Sequence, residues 1–299
     1  MNAHVPTGNP ARPTTAIDQP DFVTLRPATG DEHLLRLYCM PPAGMNAAYF
    51  QAFTPYLPTT ISVHALQLPG RGRATGTPVH TDPHRLGQLL AERIRQDDDG
   101  HPYAVFGHSV GALIAHETVT SLTRQGHRPP TLLALSAMAA PHHPDFTARA
   151  PDVLLGGREG IEKLFGRLPD HAAHDPRALI NTWIPKLADL LLALQSPPHQ
   201  GPPLDTQLAL YGGEDDPVIS PDALAGWNDI TSRPATPRLF PGNHTYPLDN
   251  VQALSSRLTA DIVTSLRGWY VQPTAPAHTR GSVHEPVIQG PVSNVTRTR

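Results

Sequence analysis

The stretch "YAVFGHSVGALIAHE", residues 103–117, decides which fold and which chemistry the chain should have. An apolar run leads through Gly-His-Ser-Val-Gly into a segment with helical character. In a Gly-x-Ser-x-Gly turn between a strand and a helix, the glycines permit the tight bend that exposes the serine oxygen, and free N–H groups at the helix start face developing negative charge. The pentapeptide alone is a weak signal, but in this context it predicts that Ser109 is a nucleophile.

Around this stretch, short apolar runs alternate with longer amphipathic segments, which predicts an α/β fold with a mostly parallel sheet and flanking helices. The helical segments expected are residues 85–96, 110–125 and 254–269, the second ending at a capping Gly126. The strands expected are residues 34–39, 61–66, 103–106, 132–135, 208–211 and 238–240.

One interval is longer than a crossover between parallel strands requires. Residues 141–205 contain "GIEKLFGRL" and "PRALINTWIPKLADLLLALQ", which are rich in apolar side chains and interrupted by Pro185. They predict a helical insertion that packs over the sheet edge and walls an apolar pocket. The alternative is that these side chains only bury against the domain, and the two interpretations are compatible.

Composition bounds the class of protein. Of the 299 residues, 39% are hydrophobic, which suffices for one large core over residues 21–272, whereas residues 1–20 and 273–299 carry few large apolar groups and are expected to be disordered. The net charge of −3 argues against nucleic acid and anionic membranes as partners. With Cys39 as the only cysteine, no signal-like start and no apolar run near 18 residues, we expect a soluble, cytoplasmic protein without an internal disulfide.

A serine nucleophile needs a base, and the chain offers one credible histidine. In this type of fold the acid and the base follow the serine in the order Ser, Asp or Glu, His, each after a later strand. "FPGNHTYP" places His244 directly after the expected strand 238–240. The later histidines, His278 and His284, lie in the tail, so His244 is the candidate base by elimination.

The acid should come from "GGEDDPV", which follows the expected strand 208–211 and contains Glu214, Asp215 and Asp216. Asp216 is favoured over its neighbour Asp215 because it lies furthest into the turn and precedes a proline that stiffens the loop. The alternative is an acidic, solvated loop without a catalytic role. His108, beside the serine, is expected to be structural.

Acyl chemistry at Ser109 also needs two N–H donors for an oxyanion. We expect the first from Val110 and the second from Ala43, in the loop "CMPPAGMNAAYF" after an early strand. A plain turn is the alternative, because proline and glycine mark turns of every kind.

Taken together, these motifs resemble the stand-alone, or type II, thioesterases of polyketide and nonribosomal peptide assembly lines, within the α/β-hydrolase superfamily. The likeness spans about residues 33–268 and rests on "PPAGMNAAYF", "LPGRGR", Gly-His-Ser-x-Gly with "GALIAHE", "GGEDDPV" and "FPGNHTY". It implies hydrolysis of acyl groups from the 4'-phosphopantetheine arm of an acyl or peptidyl carrier protein, without a cofactor of the enzyme's own and by a monomer. It also implies roles for named residues: a triad of Ser109, Asp216 and His244, an oxyanion hole of the Ala43 and Val110 amides, and a mobile lid over residues 141–205.

Three residues bear on substrate and partner. Met45 replaces a commonly small residue of the family beside the oxyanion loop, which affects substrate choice, as does "TY" after His244. Arg71 and Arg73 in "LPGRGR" either meet an acidic carrier protein or its phosphate, or brace their own loop.

Other functions share parts of this pattern. Some members of the family release a pathway product, and an α/β-hydrolase acting on small esters or lactones would have the same triad. A binding protein of this fold that has lost catalysis would not need an intact Ser-Asp-His order. A metal site is not expected, because no His-Glu-x-x-His motif accompanies the two histidine pairs with ligand-like spacing, His80/His84 and His171/His174.

Overall fold

The protein is described by a computed structural model that covers residues 19–29, 33–75, 77–146 and 179–271, with the isolated positions 159, 175 and 177. The disorder expected for residues 1–20 and 273–299 falls almost entirely outside these residues, as does the middle part of the insertion expected over residues 141–205. Those expectations stay predictions. Among the helices of the described ranges, none is both long and apolar enough to cross a membrane.

A seven-stranded sheet forms the centre of the molecule. The strands are β1 (Asp21–Arg26), β2 (Leu35–Met40), β3 (Ile61–Gln67), β4 (Tyr103–His108), β5 (Leu132–Ser136), β6 (Gln207–Gly213) and β7 (Arg238–Phe240). Their order in the sheet is β1-β3-β2-β4-β5-β6-β7, and every neighbouring pair is parallel except β1 with β3. The prediction of an α/β fold with a mostly parallel sheet is confirmed.

Strand β1 was not predicted, whereas the six predicted strands are present. It pairs with β3 alone at the edge of the sheet, so only part of it enters the core: Phe22 is buried and Val23 is 43% exposed. An edge strand with mixed polar and apolar side chains carries a weak sequence signal.

Helices cover both faces of the sheet and divide the core into two apolar layers. The α-helices are α1 (Pro83–Gln96), α2 (Val110–Arg124), α3 (Ile184–Leu194), α4 (Pro221–Ala225), α5 (Tyr246–Asp249) and α6 (Val251–Val271), and a π-helical turn, Leu179–Trp183, precedes α3. One layer packs under α1, α2 and α3, and the other under α6 and a 3-10 helix, Ala47–Tyr56, which was not predicted.

Helix α2 lies at the centre of this arrangement. Its residues from Val110 to Leu122 are all buried, because the helix packs against α1, α3 and the sheet. It ends before Gly126, whose φ of +70° supports the predicted glycine cap. The strands β2, β4, β6 and β7 run in the same direction, so the loops that follow them meet at one edge of the sheet.

Candidate active site

Ser109 occupies the sharp turn between β4 and α2, with φ 55° and ψ −126°. Non-glycine residues with positive φ are strained and are retained where the surrounding structure imposes the conformation, often at functional sites. Both neighbouring glycines are sterically required. A Cβ on Gly107 would lie 2.2 Å from the Gly111 carbonyl oxygen, and a Cβ on Gly111 would lie 2.1 Å from the Met40 carbonyl oxygen. The Gly-x-Ser-x-Gly spacing therefore follows from the close approach of α2 to β4 and β2.

His244 and Asp216 lie beside Ser109, in the loops that follow β7 and β6. His244 Nε2 is 3.0 Å from Ser109 Oγ, and His244 Nδ1 is 2.8 Å from Asp216 Oδ2. With Nδ1–H donating to the carboxylate, Nε2 is the acceptor that faces the serine hydroxyl. The structure thus places in one hydrogen-bonded row the three residues that the sequence singles out.

Asp216 differs sharply from the acids that precede it. Asp215 is exposed, whereas the Asp216 side chain is 1% exposed, and its Oδ1 accepts hydrogen bonds from the amides of Val218 at 2.8 Å and Ile219 at 3.1 Å. Burial by itself would raise the pKa of Asp216, but hydrogen bonding and attraction to His244, together with the two amide donors, lower the pKa below its usual value. The carboxylate is therefore ionised at neutral pH and held in one orientation.

Two backbone segments converge beside the serine. Val110 is the first residue of α2, where helix N–H groups lack intrahelical acceptors. The loop of residues 41–45 contains a turn closed by a 3.0 Å hydrogen bond from the Met45 amide to the Pro42 carbonyl, with Ala43 and Gly44 at its centre. Ala43 and Val110 line the same cavity as Ser109, so both candidate donors lie at the site.

His108 lies behind the site and belongs to a buried polar network. Its Nδ1 is 2.8 Å from Ser136 Oγ, which is 2.7 Å from the Tyr246 hydroxyl. Its ring lies 5.5 Å from the His244 ring. Complete burial, with a smaller contribution from the charge of His244, lowers the pKa of His108 to about 3, so the imidazole is neutral at physiological pH. This environment agrees with the structural role expected for His108.

A cavity of about 460 Å³ opens onto Ser109 and His244, and its walls are mostly apolar. Helix α3, the described end of the predicted insertion, forms one wall, as the apolar pattern of that segment predicted. The loop after β5 forms another wall, and residues of the loops that carry Asp216 and His244 line the remaining sides. Apolar side chains on these walls are Met138, Ala139, Phe146, Leu190, Ala193, Leu194, Val218, Ile219 and Leu248.

The arginines considered for partner binding have different positions. Arg71 is 3% exposed and forms a bidentate ion pair with Asp189, so in this conformation it offers no surface to a carrier protein. Of the two roles considered for Arg71, the structure favours the bracing one. The side chain of Arg73 lies outside the described part of the chain. Met45 is 45% exposed and lines the cavity, so it lies on the solvent side of the site.

Several residues at the site were not identified from the sequence. Asp189 is the most prominent: it is 1% exposed, lies within α3 and accepts a 2.7 Å hydrogen bond from the Gly44 amide. An acid inside the apolar run "LADLLLAL" was a signal that a buried charge needed a partner. Ser136 carried no comparable signal, because its contacts with His108 and Tyr246 arise only from packing, and Tyr246 was considered only for its effect on substrate choice.

Of the two histidine pairs with ligand-like spacing, the described one, His80/His84, does not line the cavity at Ser109. His84 hydrogen bonds to the buried Glu117 at 2.7 Å, and the pair His171/His174 lies outside the described residues. The described ranges do contain one unpredicted group of potential metal ligands, His33, Asp99 and His101, whose ligand atoms lie within 4.8 Å of one another. The Asp99 carboxylate is already ion-paired with Arg36.

Comparison with known proteins identifies similar sequences. Residues 35–262 match the model of the Thioesterase family, described as a thioesterase domain. The probable cadicidin biosynthesis thioesterase of Streptomyces griseus is 30% identical over 254 residues, which cover 82% of this chain and 68% of that protein. The gramicidin S biosynthesis protein GrsT of Aneurinibacillus migulanus is 29% identical over 216 residues, which cover 71% of this chain and 82% of that protein.

Solved structures give the same result at the level of the fold. The thioesterase RedJ from the prodiginine biosynthetic pathway in Streptomyces coelicolor superposes with a TM-score of 0.64 at 29% identity, covering 84% of this chain and 96% of that chain. Together with the sheet order, this similarity confirms the α/β-hydrolase fold that the sequence resemblance implied.

Proposed function

Because the chain belongs to the thioesterase family, we propose that it hydrolyses acyl groups from the phosphopantetheine arm of acyl or peptidyl carrier proteins of a polyketide or nonribosomal peptide assembly line. Similar proteins that are named for cadicidin and gramicidin S biosynthesis support this assignment. The observation that carries it is the hydrogen-bonded row from Asp216 through His244 to Ser109, which ends at an apolar cavity.

In the proposed acylation step, His244 Nε2 takes the proton of the Ser109 hydroxyl while Oγ attacks the thioester carbonyl carbon. The negative charge that develops on the carbonyl oxygen is stabilised by the Val110 and Ala43 N–H groups. The carbon–sulfur bond then breaks, and the protonated His244 returns its proton to the departing phosphopantetheine thiolate. The acyl group remains as an ester on Ser109.

Deacylation repeats these roles with water as the nucleophile. His244 removes a proton from water, the hydroxide attacks the Ser109 ester, and the serine oxygen leaves with the proton that His244 carries. Asp216 holds the imidazole in the required tautomer and stabilises the imidazolium that forms in each step. The products are the free acid and the regenerated serine, and no redox or metal chemistry enters the balance.

The cavity supports an acyl rather than a polar substrate. Most of its side chains from α3 and from the loop after β5 are aliphatic or aromatic, so they favour burial of a hydrocarbon chain next to Ser109. The charged groups on the wall, Asp145, Lys186 and Asp189, are few compared with the apolar ones.

The proposed function is tested by measuring hydrolysis of carrier proteins loaded with acyl thioesters of increasing length, beside oxygen esters of the same acids. We expect turnover of the thioesters by the unmodified protein, a preference for them over the esters, and loss of turnover in Ser109→Ala. Ser232→Ala, at a serine that does not line the cavity, serves as the matched control and should retain full activity. Equal or faster hydrolysis of the free esters would contradict the carrier-thioester assignment, and turnover by Ser109→Ala would contradict the nucleophile.

A further inference from the structure

A buried ion pair joins α3 to a loop beside Ser109. Arg71 Nη1 and Nη2 lie 2.6 and 2.7 Å from the two carboxylate oxygens of Asp189, and the two side chains are 3% and 1% exposed. Burying both charges costs desolvation free energy, and an apolar pair of similar volume often gives equal or greater stability. Stability alone therefore does not explain why an ion pair is buried here, and its role follows from the groups that Arg71 and Asp189 contact.

Both members of the pair also hold the backbone of the 41–45 loop. Asp189 Oδ2 accepts a 2.7 Å hydrogen bond from the Gly44 amide, and Arg71 Nη1 donates to the Met45 carbonyl at 3.2 Å. Gly44 and Met45 directly follow Ala43, the second proposed oxyanion donor. The pair thus holds the backbone of the two residues that directly follow the Ala43 amide.

Contact with α3 is built into the shape of this loop. Gly44 has φ +75°, and a Cβ at this position would lie 2.5 Å from Lys186 Cγ on α3. Only a glycine allows the backbone to turn there and α3 to approach so closely. On the opposite side, a Cβ on Gly72 would lie 3.0 Å from Asn46 Nδ2, so the Arg71 loop also packs closely against the residue that follows the 41–45 loop.

We propose that Arg71 and Asp189 are positioning residues that couple the seating of α3 to the assembly of the oxyanion site. With α3 seated, Asp189 holds the Gly44 amide and orients the Ala43 amide toward the site. If α3 moves away, Asp189 moves with it and the loop loses this support. Because α3 also contributes Leu190 and Leu194 to the cavity wall, acyl transfer is linked to closure of the acyl pocket. This inference rests on the proposed function, which assigns the oxyanion role to Ala43.

Three variants separate positioning from stability. Arg71→Met combined with Asp189→Leu replaces the ion pair with apolar side chains and leaves no unpaired buried charge. Asp189→Asn removes the charge but keeps an oxygen that can accept from the Gly44 amide. Arg26→Met is the matched control, because the Arg26 guanidinium braces a different loop through the carbonyls of residues 54, 57, 58 and 61.

For each variant we measure the melting temperature, kcat and KM with an acyl thioester, and the rate at which a fluorophosphonate labels Ser109. The phosphonate places an oxygen in the oxyanion site, so its reaction reports on the donors without requiring a thioester substrate. We expect the double variant to keep its KM, and its kcat and labelling rate to fall about 10- to 100-fold. The upper value approaches the loss of kcat that follows removal of one oxyanion donor. Asp189→Asn should lose at least about threefold but less than the double variant. Arg26→Met should melt at a lower temperature with unchanged kcat.

The proposal is overturned if either Asp189 variant has the kcat and labelling rate of the unmodified protein, or if the loss appears in KM alone. It is also overturned if Arg26→Met loses as much kcat, because general loosening would then explain the effect. Should the unmodified protein fail to hydrolyse any acyl thioester, the proposed function fails, whereas the ratio of the labelling rates still decides the positioning role.

Discussion

Replacing Asp216 with asparagine perturbs the site at a point where the structure limits the possible responses. Asp216 Oδ2 accepts from His244 Nδ1 at 2.8 Å, and Oδ1 accepts from the amides of Val218 and Ile219 at 2.8 and 3.1 Å. An asparagine has only one oxygen, so it cannot accept hydrogen bonds from both sides. In the variant, either the His244 proton moves to the wrong ring nitrogen, or the amides of Val218 and Ile219 lose their hydrogen-bond acceptor.

Each response has a calculable cost. If the asparagine oxygen stays with the amides, its NH₂ group faces His244 Nδ1, the proton moves to Nε2, and the imidazole cannot accept from Ser109; a wrong tautomer in such triads costs about 10⁴-fold in kcat. If the side chain flips, the two amides of Val218 and Ile219 lose their acceptor at about 1–3 kcal/mol each. The sum of about 2–6 kcal/mol corresponds to about 30-fold to about 10⁴-fold. We therefore expect kcat of Asp216→Asn to fall at least about 30-fold.

The assay is steady-state hydrolysis of an acyl-pantetheine thioester at pH 7, with the change expected in kcat and little change in KM. Asp215→Asn is the matched control, because it makes the same substitution at the exposed neighbour and should leave kcat unchanged. The reasoning is refuted if Asp216→Asn keeps kcat within about threefold of the unmodified protein, or if Asp215→Asn shows the larger loss.

Three further predictions follow from the same geometry. Gly111→Ala places a Cβ 2.1 Å from the Met40 carbonyl oxygen, which belongs to the sheet backbone, so urea unfolding should show a loss of about 3 kcal/mol or more, whereas a smaller loss would mean that α2 can shift. Tyr246→Phe removes the hydroxyl 2.7 Å from the buried Ser136 Oγ and should lower the free energy of unfolding by about 1–3 kcal/mol; an unchanged value would show that the hydrogen bond contributes nothing. Because the folded pKa of Asp216 lies below its unfolded value of about 3.9, its ionised form stabilises the fold above about pH 4 and this contribution is lost as the pH falls through the folded pKa. The difference in unfolding free energy between the unmodified protein and Asp216→Asn should therefore shrink on acidification from pH 6 to pH 3, and growth of that difference would contradict the assigned environment.

The central part of the fold was predictable because its signals are local. The apolar run before Ser109, the two close-packed glycines and the helical pattern after them lie within 15 residues, and the steric contacts of Gly107 and Gly111 explain why the pattern is so restrictive. The loops of Asp216 and His244 were predicted from the chain order Ser, Asp or Glu, His, with each residue after a later strand. The structure gives the physical reason, since parallel strands bring the loops at their carboxyl ends to one edge of the sheet.

What the sequence did not predict depends on contacts between distant segments. Arg71 and Asp189 are 118 residues apart, and nothing local indicates that they pair. The contact of Ser136 with Tyr246 spans 110 residues and exists only because the strand end and α5 pack together. Strand β1 was missed for a different reason: its pairing with β3 alone leaves an edge strand without a continuous apolar pattern.

The central claim is that Ser109 carries the acyl group during turnover. The most direct test is to mix the enzyme with an acyl-carrier thioester, quench within the first turnover, digest the protein and locate the added acyl mass by mass spectrometry. The account predicts the acyl mass on the peptide that contains Ser109, and its absence from the same peptide of Ser109→Ala. An acyl group on another residue, or complete turnover without any acylated peptide at any quench time, would contradict it.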